Sequence, residues 1–164
     1  MKLRGRSRTP ARAGFTLLEV VVVVIVLALA VPPALMFADQ SSARRADAVN
    51  AMRATTLGTL VMESILADVA STRTGLGYAA LAASGTYLDT PTTGLRARIA
   101  SLQAPYAALG MTYAVSIGPE VDSTGTVSGT PANNVFRKVT VTVSYPAATR
   151  ASADITLAAM VSEL

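Results

Sequence analysis

Residues 14–38 read GFTLLEVVVVVIVLALAVPPALMFA, and the organisation of the whole chain follows from how that stretch is understood. From Val20 to Ala38 no side chain is charged or strongly polar. Coiled as an α-helix, this run reaches roughly 28 Å, close to the roughly 30 Å hydrocarbon thickness of a bilayer. Directly upstream lie Lys2, Arg4, Arg6, Arg8 and Arg12, with no acid among them. A basic head followed by an apolar run is a membrane-targeting arrangement. The head is expected to stay cytoplasmic, which places the remainder of the chain on the opposite side.

The same five residues explain the charge of the protein. The chain has 164 residues, 14 basic and 10 acidic, and a formal net charge of +4. With residues 1–14 set aside, residues 15–164 carry a formal −1. A pI near 9.9 therefore does not indicate a basic nucleic-acid face, and no nucleic-acid partner is expected. Cysteine and histidine are both absent. Disulfide frameworks, zinc sites, thiol nucleophiles and histidine-based acid–base catalysis are excluded with them. The length suits one domain with an appendage, and the mean hydropathy of +0.46 is high for a domain that lives wholly in water.

Three kinds of targeting segment fit the apolar run. A cleaved secretory signal would use Ala28-Leu29-Ala30 as its small-x-small site, and an uncleaved signal anchor needs no site. Neither has a use for Glu19. A carboxylate within a membrane span costs about 2.5–3.5 kcal/mol on insertion scales, and it marks a function with a partner to be found. The heptapeptide Gly14-Phe15-Thr16-Leu17-Leu18-Glu19-Val20 resembles the type IV prepilin and type II secretion pseudopilin family, in a motif that covers only these seven residues. Glycine, phenylalanine, glutamate, basic leader and following apolar run all agree in position.

That resemblance implies cleavage between Gly14 and Phe15 on the cytoplasmic side by a prepilin peptidase, which then N-methylates Phe15. It also implies that Glu19 of an incoming subunit meets the Phe15 ammonium of a neighbour in a filament. An amine and a carboxylate in low dielectric attract strongly, and each relieves the other's desolvation. Pairing within a single chain is the simpler alternative. Pro32-Pro33 departs from the family pattern of one proline further along. Each proline removes a backbone donor at about 3 kcal/mol in a helix interior, so a kink at Pro32 and Pro33 is expected.

Beyond Ala38 the chain turns polar without losing helical character. Asp39 to about Ser71 contains no proline and one glycine, Gly58, and is rich in good helix formers. Leu57, Leu60, Val61, Ile65 and Val69 recur at spacings that put them on one broad apolar face. Residues 71–77, STRTGLG, end the helix. Between 76 and 110 the reading predicts turns at Ser84-Gly85 and Asp89-Thr90-Pro91. It also predicts a short helix from Leu95 to about Ala108, broken near Pro105, with Ile99 and Leu102 on one face.

The last third predicts strands. Met111–Ile117 alternates through Tyr113, Val115 and Ile117, and Gly118-Pro119, Gly125 and Gly129-Thr130-Pro131 punctuate a connecting loop. Val135–Tyr145 places Val139, Val141, Val143 and Tyr145 on one face and Lys138, Thr140, Thr142 and Ser144 on the other. Ile155–Val161 gives a third strand. Strands this close in sequence favour an antiparallel meander covered on one face, and the amphipathic half of the helix is the cover at hand. The expected fold is α+β, a long N-terminal helix packed on a small antiparallel sheet. This is also the architecture that the pilin resemblance implies. The expected layout is a leader at 1–14, a membrane-spanning or filament-core helix at 15–38, its amphipathic continuation at 39–72 and a globular head at 73–164.

Catalytic chemistry has few resources here, and no enzyme activity or cofactor is expected. A Ser–Lys dyad would have to use Lys138, and nothing marks its serine. Arg44 and Arg45 near Asp47 read as a solvated helix face. Glu120 and Asp122, with Ser123 and Gly125, offer oxygen ligands for calcium but fall short of a binding loop, so no metal site is assigned. The five tyrosines, Tyr78, Tyr87, Tyr106, Tyr113 and Tyr145, read as packing residues. The pattern around Arg137–Val143 and the closing Leu157–Val161 resembles the end of minor pseudopilins.

The resemblance thus implies a pseudopilin of a type II secretion system, or a minor type IV pilin. Its partners would be the prepilin peptidase, other pilin or pseudopilin subunits, an inner-membrane assembly platform and, before assembly, membrane lipid. Its location would be the bacterial inner membrane, with the head in the periplasm. A membrane-tethered periplasmic binding or enzymatic domain is the rival from another class.

Overall fold

A computed structural model describes residues 16–163. The helix α1 spans Leu17–Val69, and it is followed by a 3₁₀ turn at Tyr78–Ala83 and two shorter helices, α2 (Ser84–Asp89) and α3 (Leu95–Ala107). Three strands close the chain: β1 (Thr112–Val121), β2 (Phe136–Tyr145) and β3 (Ala153–Ser162). The chain divides into two compact units at Ser42/Ala43.

In the unit ending at Ser42, α1 is helical through Pro32 and Pro33. The prolines cannot donate to the carbonyls of Ala28 and Leu29, one turn back. Large apolar side chains along this stretch are exposed, from Leu17 at 85% to Phe37 at 73%. An 18-residue window within α1 reaches a mean hydropathy of 2.9, with none of it buried inside the protein.

In the unit beginning at Ala43, the rest of α1 lies on the sheet. The sheet is antiparallel with order β1-β2-β3, so β2 is central. Val139, Val141 and Val143 are fully buried on its inner face, and Tyr145 nearly so. They share one core with Ala54, Leu57, Val61 and Ile65 of α1. The period of 2 on the strand and of 3–4 on the helix, both legible in the sequence, therefore meet in a single apolar layer. Each large side chain in that layer contributes about 1.5–3 kcal/mol by leaving water. Gly58 lets the helix approach closely, because a Cβ there would sit 2.6 Å from Leu157 Cδ1.

The helix end is closed by its own backbone. The carbonyl of Asp68 accepts from the amides of both Ser71 and Gly77. Gly77, at φ +92°, takes a left-handed conformation that favours glycine.

Four sequence expectations are corrected. Ser84-Gly85 opens α2 and is not a turn, because helical spacing buries Tyr87 and Leu88. Leu102 is 51% exposed and does not share the buried face of Ile99, which Leu95 supplies one turn earlier. Gly118-Pro119 lies inside β1 and is not loop. The pairing with β2 shifts between Ile117 and Glu120, and this irregularity on an edge strand accommodates a residue with no amide to donate. Asp47 is not merely part of a solvated face, as described below. Pro105 is accommodated two residues before the end of α3, where little helix remains to be broken.

Candidate functional site

The chain enters α1 through Thr16. Its carbonyl and its Oγ1 accept from the amide of Glu19 at 3.1 and 3.2 Å, so Thr16 caps the helix at the third helical residue. Thr16-Leu17-Leu18-Glu19 has the form of a capping box, threonine and then glutamate three residues on, directly before an apolar run. Sequence reading assigned Glu19 a partner but missed the cap, although the four-residue pattern announces it. A carboxylate in the first turn is also favoured by the helix dipole, by about 0.3–1 kcal/mol at an exposed site. That is too small to offset a few kcal/mol of membrane desolvation. Gly14 and Phe15, the expected cleavage and methylation positions, lie outside the described residues, as does the leader.

On the head, a polar cluster that the sequence did not announce holds α1 to α2 and α3. Asp68 accepts from Arg98 at both carboxylate oxygens, Nη1 to Oδ1 at 2.6 Å and Nη2 to Oδ2 at 2.5 Å. Tyr87 Oη donates to Oδ2 at 2.6 Å, and Arg98 Nε donates to the Thr93 carbonyl at 3.0 Å. Burial, then the neighbouring Asp68, pushes the Tyr87 hydroxyl well above its usual range, so it stays protonated as a donor. The hydrogen bonds to Asp68 raise the Arg98 guanidinium. Because 19 and 30 residues separate the partners from Asp68, no local pattern could have revealed the cluster.

A second unannounced contact fastens the β2–β3 loop to α1. Asp47 accepts from the Ala148 amide and from the Thr149 hydroxyl, while Asn50 Nδ2 donates to the Pro146 carbonyl at 3.0 Å. The hydrogen bond from Thr149, then that from Ala148, holds the Asp47 carboxyl below the usual range. Arg44 and Arg45 remain exposed, as expected.

The acids considered for calcium are engaged with the protein itself. Glu120 pairs with Arg137 Nη2 at 2.8 Å across the β1–β2 ladder. Asp122 accepts from the Thr124 amide and hydroxyl at 2.8 and 2.6 Å, closing a tight turn. Among the described residues no cluster of three or more acidic side chains is poised to hold a metal ion. Lys138 is exposed on β2. All five tyrosines are buried or pack against the core.

Residues 9–31 match a family of known sequences described as the Prokaryotic N-terminal methylation motif. No curated protein and no solved structure matches the chain at a comparable level. The match spans the junction on which Glu19 sits and most of the exposed apolar run. The helix-on-sheet fold, α1 against a three-stranded antiparallel sheet, is α+β and pilin-like. The motif supports membership of the type IV pilin and pseudopilin family, whose members are structural filament subunits processed by a prepilin peptidase.

Proposed function

We propose that the chain is a pseudopilin of a type II secretion system. On this reading, residues 1–14 are removed after Gly14 and Phe15 is methylated. Residues 15–38 hold the subunit in the inner membrane, with the head in the periplasm, until it is assembled. The observation that carries the reading is the overlap of the methylation motif with a helical stretch whose apolar side chains face outward. Apolar surface of that extent needs lipid or other helices to cover it.

Glu19 pairs with the Phe15 ammonium of a neighbouring subunit and sets the axial register of assembly. Glu19 lies in the first turn of α1, at the end of the helix where that ammonium would arrive. At Pro32 and Pro33, two carbonyls in succession lack their helical donors, and the helix bends or unwinds there as subunits pack. The subunit acts by assembly and carries out no chemistry of its own.

A minor type IV pilin shares each of these features. The two are separated by phenotype. Deletion of the gene is expected to abolish export of folded proteins to the medium while surface pili and pilus-dependent motility persist. Loss of pili with intact export would make the chain a pilin instead.

A further inference from the structure

Beside the Asp68 cluster, a cleft of about 450 Å³ opens between the loop after α1 and the segment that joins α2 to α3. Its size falls within the range of sites that take small ligands or single peptide side chains. Two guanidinium groups line it, Arg73 and Arg98, and no acidic residue does. Arg98 is held rigid by Asp68 and the Thr93 carbonyl, which leaves one hydrogen on each terminal nitrogen uncommitted. Arg73 is exposed, and among the described residues its guanidinium has no ion-pair partner. The apolar part of the lining comes from Leu76, Ala80 and Ala83, and threonine hydroxyls such as Thr90 and Thr92 supply further polar contacts.

We infer that this cleft is a docking site for an acidic residue flanked by an apolar one, presented by a neighbouring subunit. Charge complementarity carries the argument. Asp68 already neutralises Arg98, so the excess positive charge in the cleft belongs to Arg73, and a carboxylate is the group that answers it. Rigid anchoring of Arg98 means that little side-chain freedom is lost when it binds. The identity of the partner as a filament neighbour rests on the function proposed above, whereas the carboxylate chemistry does not.

The test uses the full chain in detergent micelles, labelled with ¹⁵N and titrated with acetyl-Glu-Leu-amide and, separately, acetyl-Gln-Leu-amide. The glutamate probe is expected to give saturable shifts confined to amides near Arg73 and Thr90–Thr93. The glutamine probe, and the glutamate probe on Arg73→Gln, should bind about tenfold more weakly. Equal binding of the two probes, an unaltered Arg73→Gln, or no saturable shift would overturn the proposal. A photocrosslinker at exposed Thr92 in intact cells then identifies the partner. An adduct on an Asp- or Glu-bearing peptide of another subunit is expected, and no adduct, or one on a peptide without an acid, overturns it. An unprocessed N-terminus would sink the filament reading and leave the titration result standing.

Discussion

Glu19→Ala is expected to leave leader removal intact while lowering incorporation into filaments by more than about tenfold. Breaking an ion pair in low dielectric by removing one partner costs about 3–5 kcal/mol, and about 1.4 kcal/mol is already a factor of ten. Glu19→Gln separates the two roles open to this residue. Glutamine can fill the last position of a capping box as glutamate does, so a purely capping role for the side chain predicts that Glu19→Gln assembles normally. A charge-pairing role predicts that it fails almost as badly as alanine. The measurement is the ratio of processed subunit in sheared or cross-linked filaments to processed subunit in membranes. Normal assembly of Glu19→Gln would remove the ion pair from the account.

Arg98→Met is expected to destabilise the head by about 2–3 kcal/mol. The Asp68 side chain is only 9% exposed, and loss of Arg98 leaves its charge with one hydroxyl donor. The usual cost of stripping a buried ion of its partner is about 3–5 kcal/mol. The Arg98 side chain is itself 31% exposed, so water recovers part of that. Asp68→Ala combined with Arg98→Met should recover much of the loss, since no buried charge then remains. Chemical denaturation of the full chain in micelles, followed through tyrosine signals, reads this directly. A single variant as stable as the parent would show that the cluster is solvated.

Legibility in the sequence tracked how local each cause was. The strand β2 could be read because Val139, Val141, Val143 and Tyr145 alternate with polar residues, and the buried face of α1 because Leu57, Val61 and Ile65 recur at 3–4 spacing. Both patterns record burial against a neighbour whose identity the pattern does not need. Gly118-Pro119 misled because the residues that usually end a strand here sit at a register shift, a feature set by the partner strand. Ser84-Gly85 misled because burial of Tyr87 and Leu88 outweighs the turn preference of two small residues. The clasps at Asp68 and Asp47 join residues far apart in the chain, so nothing near either aspartate marks it. At the N-terminus the pattern was local and dense, and the Thr16 cap was there to be read.

Filament assembly by this chain depends on what happens at the junction of leader and apolar helix. The most direct test is the intact mass and first residue of the protein recovered from membranes of cells that make it. The prediction is a chain beginning at Phe15 and heavier than that sequence by one CH2, the net gain when a methyl group replaces an amine hydrogen. Recovery of functional protein that still begins at Met1, or that begins at Val31 after a cut behind Ala30, would contradict it.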